Sequence, residues 1–205
     1  HLKNRINQTR PIQADEKMDI HCKLGQWRVT DKGLEFDFST QVIINSHLVW
    51  SENSTYFKRG RFSQNNSSKG PHDNSTSVEL NTILAVKPLT HWLIPKNRGK
   101  TYAKISGDYN PIHISKTLAK LFGLKRDIAH GFGVVAQAIE QSNALTKMRK
   151  DEAIQLDVVF KGPIFLGSDV TIHQNITQHA DRYDVYCGDN ERPNICLSLK
   201  KLEHE

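Results

Sequence analysis

Asp108 and His113 stand five residues apart in the stretch Tyr102-Ala-Lys-Ile-Ser-Gly-Asp-Tyr-Asn-Pro-Ile-His113. A carboxylate beside an imidazole makes an acid–base pair, because the carboxylate is an ionised acceptor at neutral pH and the imidazole titrates close to it. The residues between and before them set the geometry. Ser106-Gly107 reads as a helix end, since Gly107 can take a backbone angle that other residues avoid. Pro111 holds Asn110 extended and stiffens the turn that follows. The expectation is a rigid loop that fixes Asp108 near His113. Alone, Asp108 reads as a loop cap and His113 as a satisfied core histidine; the pairing and its Gly-Asp-x-Asn-Pro context argue for chemistry.

A second stretch, Asp127-Ile-Ala-His-Gly131, opens an apolar helical run. The first backbone N–H groups of a helix lack intrahelical partners and carry the positive end of its dipole. Gly131, without a side chain, would let a substrate oxygen approach those donors, which is how an oxyanion hole is built. A thioester carbonyl bound there becomes more acidic at C2. His130 belongs to this carbonyl-binding side, chiefly to orient the helix start. Lys96, Arg98, Lys100 and Lys104 form a basic run; Lys96, Arg98 and Lys104 are candidates to meet phosphates, against the plainer reading of a solvated face.

The elements that must position these residues follow from periodicity. Residues 17–58 read as an antiparallel meander of three strands ending near 56–59, with strand-like stretches at 18–24, 34–38, 42–44 and 48–50 and with Asp31-Lys-Gly33 and Asn45-Ser-His47 as turns. Residues 61–78 are rich in Ser and Asn and lack periodicity, so they read as a linker. Ile83–Val86 reads as a strand, Lys96 to Ile105 as a short basic helix, and Ser115 to Phe122 as another, capped by Ser115 and ended by Gly123. One long helix is expected from His130 to Arg149, with Val134, Val135, Ala138, Ile139, Leu145 and Met148 on its apolar face. Strands are expected near 153–161, 168–177, 182–188 and 195–202. Residues 1–16 read as too polar and too short to supply a long helix of the kind expected at 130–149.

Composition bounds the function classes. The 205-residue chain carries a net charge of +6, but no helix-turn-helix, finger or RNA-binding pattern accompanies it, so nucleic acid is not the expected partner. No run of about eighteen apolar residues occurs, so no membrane span is expected. The three cysteines, Cys22, Cys187 and Cys196, lack metal-ligand spacing, and free thiols in the cytoplasm are the expectation. Neither a metal nor a redox cofactor is expected.

The stretch SGDYNPIH, followed by IAHG at 128–131, resembles the MaoC-like hydratases and dehydratases, including the R-specific enoyl-CoA hydratases. Val159-Phe-Lys-Gly-Pro-Ile-Phe-Leu-Gly167 is similar to that family's strand–turn–strand after its helix. Ile6–Ile12 and Ser54–Arg59 resemble the amino-terminal module of its two-module members. The resemblance implies an α+β hot-dog fold, an antiparallel sheet wrapped around one long helix, here as a double hot-dog with an incomplete first module. The corresponding domains are 1–60, a partial first module; 61–78, a linker; and 79–205, the catalytic module.

The implied activity is interconversion of a (3R)-3-hydroxyacyl thioester and a trans-2-enoyl thioester by adding or removing water. Asp108 and His113 match the family's water-activating pair, Gly131 its helix-start glycine, and Asn110 its supporting asparagine. Coenzyme A or an acyl carrier protein enters only as part of the substrate. A thioesterase and a non-catalytic acyl-thioester-binding hot-dog protein are the alternatives. Some R-specific hydratases carry a serine where this chain has Ile139, so their substrate preference does not transfer. A homodimer or pseudo-dimer fits the family. The chain opens on His1, and the first module's helix is expected upstream or from a partner chain, with the strands of 17–58 joined edge to edge to the sheet of 79–205.

Overall fold

The computed structural model describes residues 1–62, 88–147, 152–176 and 181–202. Its strands are β1 (Lys3–Gln8), β2 (Asp19–Thr30), β3 (Gly33–Ile44), β4 (His47–Arg59), β5 (Thr90–Leu93), β6 (Ile154–Phe160), β7 (Asp169–Ile176), β8 (Asp181–Cys187) and β9 (Ile195–Lys201). Its α-helices are α1 (Arg98–Ser106), α2 (Pro111–Ile114), α3 (Lys116–Leu121) and α4 (Gly131–Gln141). Two compact units result: His1–Leu80 with Met148–Val159 and Ser198–Glu205, and Asn81–Lys147 with Phe160–Leu197. The units thus interleave along the chain, because β6 and the end of β9 group with the amino-terminal strands.

In the first unit β2, β3 and β4 form the expected meander, with turns at 31–32 and 45–46. Asn45 and Ser46 both take left-handed backbone angles (φ 50° and 65°), as a two-residue hairpin turn requires. The amino-terminal stretch supplies no helix, as expected, and carries a strand that its sequence pattern does not assign. Residues 3–8 form strand β1, antiparallel to β4 on one side and to β6 on the other. The sequence expectation is that the strands of 17–58 meet the later strands directly; instead β1 lies between β4 and β6. The strand is polar because its neighbours satisfy it. Buried Asn4 donates to Ser54 Oγ at 2.8 Å and to Glu52, and Arg5 makes a two-pronged bond to Asp157 at 2.5 and 3.0 Å. Among the described residues of this unit there is no helix. Its compact apolar cluster is Val42, Ile44 and Val49, joined by Ile12 and Trp50, while Ile20, Leu24 and Phe38 stay exposed.

The second unit carries β8 between β7 and β9, with short β5 on the outer side of β7. Its core draws on Ile94, Ala103, Ile164, Leu166, Val170, Ile172, Val185 and Leu197, together with Val134, Val135 and Ala138 from α4. The expected helix 130–149 is shorter than its apolar pattern suggested. α4 stops at Gln141, Asn143 turns left-handed (φ 53°), and Ala144–Lys147 continues as a 3₁₀ turn. Leu145, placed on the apolar face by periodicity, is exposed as a result. The strand expected at 83–86, most of the 61–78 linker and Met148 lie outside the described residues. Among the described residues, no helix is long and apolar enough to cross a membrane.

Candidate active site

All the residues of the site lie in the second unit. Helix α1 ends at Ser106 because Gly107 adopts φ 74° and donates its N–H to the Ala103 carbonyl at 2.8 Å. The chain then bends tightly around Asp108. The Asp108 N–H donates to Ser106 Oγ at 3.2 Å, and the Asn110 N–H donates to Asp108 Oδ1 at 3.0 Å. Asn110 next caps α2, its Oδ1 accepting from the Ile112 N–H at 3.3 Å, with Pro111 at the first helical position. What read as a rigid loop from 108 to 113 is therefore a short bend followed by one helical turn, and His113 sits on that turn.

This arrangement brings the pair together. His113 Nε2 lies 3.8 Å from Asp108 Oδ2. The two differ in exposure, Asp108's side chain being 51% exposed and that of His113 11%, so only the carboxylate faces solvent. On its other edge His113 Nδ1 lies 2.9 Å from the Ile128 carbonyl. A carbonyl oxygen only accepts, so Nδ1 carries the proton and the neutral ring keeps its lone pair on Nε2, toward Asp108. Burial pushes the His113 pKa below the usual histidine range. Nearby His130 acts in the same direction, while the Ile128 carbonyl and Asp108 oppose it.

The Ile128 carbonyl is itself fixed. The Ile128 N–H donates to the Ile112 carbonyl at 3.0 Å, and the flanking residues pair with 164–166 through Ala129 N–H to Ile164 at 2.7 Å and Leu166 N–H to Asp127 at 3.2 Å. A further support comes from α1. A Cβ at Gly99 would fall 1.7 Å from the His113 carbonyl oxygen, so helix α1 rests directly on the backbone of His113. Sequence reasoning missed Gly99. A glycine inside a helical pattern costs about 1 kcal/mol against alanine, and that cost was the available signal of a close approach.

His130 also joins the pair. Its Nε2 lies 2.9 Å from the Asp108 backbone carbonyl and 3.7 Å from Asp108 Oδ2, and its ring stacks on His113 with centroids 3.8 Å apart. Tyr102 leans on the His130 ring at 4.9 Å, whereas Tyr109 is exposed. Asp108, His113 and His130 are the one group among the described residues whose ligand atoms lie close enough to hold a metal ion. As the rings stand, only His113 offers a lone pair to the shared point. His130 Nε2 carries the proton that it gives to the Asp108 carbonyl, while Asp108 Oδ2 and His113 Nε2 face each other at 3.8 Å with no hydrogen bond between them.

Gly131 begins α4, as the sequence indicated, and His130 precedes it in extended conformation (φ −65°, ψ 127°). The reason for the glycine differs from the one expected. A Cβ there would lie 2.6 Å from the Phe160 ring, so the space beside Gly131 is filled by that ring. In the basic run, Lys96, Lys100 and Lys104 are exposed and Arg98 is half-buried. Lys100 and Lys104 share one helix face, while Arg98 and Lys104 do not.

These features find counterparts among known proteins. A curated relative, 3-hydroxyacyl-thioester dehydratase X of Mycobacterium tuberculosis, is 28% identical over 166 residues, which is 81% of this chain and 55% of the relative. The chain thus spans about half the length of the curated relative it matches. The crystal structure of HtdX from Mycobacterium tuberculosis superposes with a TM-score of 0.80 at 23% identity, covering 98% of this chain and 76% of that one. A second Mycobacterium tuberculosis structure, described as having a double hot-dog fold, gives a TM-score of 0.63 at 11% identity, covering 99% of this chain and 74% of that one. The fold is accordingly the hot-dog fold expected from the sequence. The MaoC-like domain matches residues 74–190, more than half of the sequence and the whole of the site described above, and the chain belongs to that family.

Proposed function

We propose that this protein interconverts a (3R)-3-hydroxyacyl thioester and its trans-2-enoyl partner by elimination or addition of water, with Asp108 and His113 handling the protons. One observation carries the reading: two bare acceptors, Asp108 Oδ2 and His113 Nε2, converge at 3.8 Å, with the tautomer of His113 set by its bond to Ile128. Two acceptors at that separation can each take one hydrogen of the same water. That water becomes nucleophilic toward C3 of an enoyl thioester as one acceptor withdraws its proton. The lowered His113 pKa keeps the imidazole neutral, and so basic, at neutral pH.

The first N–H groups of α4, which follow His130 directly in the chain, are the proposed donors for the thioester carbonyl, where charge builds up when C2 gains or loses its proton. The chemistry is proton transfer and positioning of water, and the proposed substrate brings its own coenzyme A or carrier-protein arm. The exposed lysines of α1 are suited to the phosphates of either arm. A compartment that keeps thiols reduced, the cytoplasm, suits a chain whose three cysteines are all unpaired.

The test is to incubate the protein with crotonyl-CoA and follow the loss of enoyl-thioester absorbance. Hydration is expected in the wild type and lost by at least about a hundredfold in Asp108→Asn, whose amide still accepts from Asn110 but no longer serves as a base. Release of free thiol would identify a thioesterase instead, and binding without turnover would identify a carrier of acyl thioesters.

A further inference from the structure

We infer that His130 is a positioning residue for the Asp108–His113 pair, clamping the backbone carbonyl of Asp108 with its ring N–H and supporting the face of His113 with its ring. The inference rests on the hydration reading above and extends it to a residue that touches neither proposed proton. A histidine that merely opened a helix would cap it, yet the His130 side chain makes no capping bond. It turns back instead, reaches the Asp108 carbonyl at 2.9 Å and stacks on His113 at 3.8 Å, with the two rings only 26° from parallel.

The orientation has a cost that the fold tolerates. With Nε2 protonated, Nδ1 is a bare acceptor, buried and without a hydrogen-bond partner. A buried unpaired acceptor is unfavourable, so the ring is not held there for its own stability. What it secures is the bend at 107–110, where Asp108 is otherwise tied only by local bonds to Ser106 and Asn110. The stacking has an electrical side as well. Two imidazoles this close in a buried site disfavour a second positive charge, so His130 helps keep His113 in its basic form. The groups facing His113 are Asp108 and His130; those facing His130 are Asp108, His113 and the ring of Tyr102.

Two variants separate the roles. His130→Phe keeps a stacking ring without a donor, and His130→Gln keeps a donor at the reach of Nε2 without the ring. With crotonyl-CoA, His130→Phe should lower kcat by about thirtyfold or more with KM changed by less than about threefold. His130→Gln should recover most of that loss in kcat. Its acid limb should nevertheless move to higher pH, and the titration of His113 followed by NMR in the free protein should move with it. A His130→Phe enzyme with wild-type kcat, or a His130→Gln enzyme no better than His130→Phe, would overturn the clamp. An unmoved His113 titration in His130→Gln would overturn the ring's part. A wild type that never turns over would defeat the hydration reading instead, while the NMR titration and amide exchange at 108–110 would still decide for or against His130.

Discussion

Replacing Gly99 by alanine adds one methyl group on the side of helix α1 that rests on His113, and the structure sets the consequence. The new Cβ would sit 1.7 Å from the His113 carbonyl oxygen and 2.9 Å from its carbonyl carbon. Backbone rather than a flexible side chain is in the way, so α1 and α2 must part by more than about 1 Å before ordinary contact is restored. His113 cannot follow such a shift and keep its 2.9 Å bond to Ile128 and its 3.8 Å approach to Asp108. Overpacking of this kind destabilises by about 1–3 kcal/mol. Displacement of a reacting group by 1 Å costs on the order of a hundredfold in rate. Both effects are measurable together, by thermal unfolding and by kcat/KM on crotonyl-CoA. Gly123→Ala is the control: Gly123, unlike Gly99, has a left-handed angle (φ 80°), but nothing lies within 4 Å of the added methyl. It should lose about 1 kcal/mol and no more than about twofold in activity. A Gly99→Ala protein with wild-type stability and activity within about threefold would refute the claim that α1 sets the position of His113.

Further outcomes follow from the same geometry. Gly131→Val should destabilise the fold by about 1–3 kcal/mol as well as reduce turnover, because its side chain meets the Phe160 ring; normal stability would show that the ring gives way freely. His113 has a pKa below its unfolded value, so the unfolded chain takes up a proton first as pH falls. The stability it confers is complete above about pH 6.5 and is lost through its lowered folded pKa, and His113→Gln should flatten that part of a plot of Tm against pH. Neutralising Lys96, Arg98 and Lys104 together should raise KM for an acyl-CoA by about threefold or more at low salt and weaken its salt dependence, and an unchanged KM would return the run to an ordinary solvated face.

Much of the fold was legible in the sequence, for reasons visible in particular elements. β2, β3 and β4 could be read because alternation at period two and the Asn45-Ser46 turn agree with each other. α3 could be read because Ser115 and Gly123 mark its ends, and Ser115 Oγ does accept from the Leu118 N–H. Asp108 and His113 could be found because Gly107 and Pro111 fix the backbone between them within a few residues. The misses arise where long-range contacts decide. β1 escapes assignment as a strand, since nothing in Lys3–Gln8 shows that Asn4 will meet Ser54 and Arg5 will meet Asp157. Periodicity carried helix α4 on to residue 149 because it counts apolar spacing and not the left-handed turn at Asn143. Gly99 and Gly131 each make room for a group distant in sequence, His113 and Phe160, and only the folded chain shows which.

The placement of β1 bears on how the chain is made. Lys3–Gln8 is bonded to residues 50–55 on one side and to residues 154–159 on the other. During synthesis the first partner emerges early, while the second emerges only after most of the chain has been translated. Until then the nascent meander presents an open row of backbone donors and acceptors along the outer edge of β1. The Arg5–Asp157 ion pair spans 152 positions, a closure that only a late, non-local step can make. A ribosome stalled before β6 would therefore hold an amino-terminal sheet with one edge unsealed, and protection by chaperones would matter most in that interval.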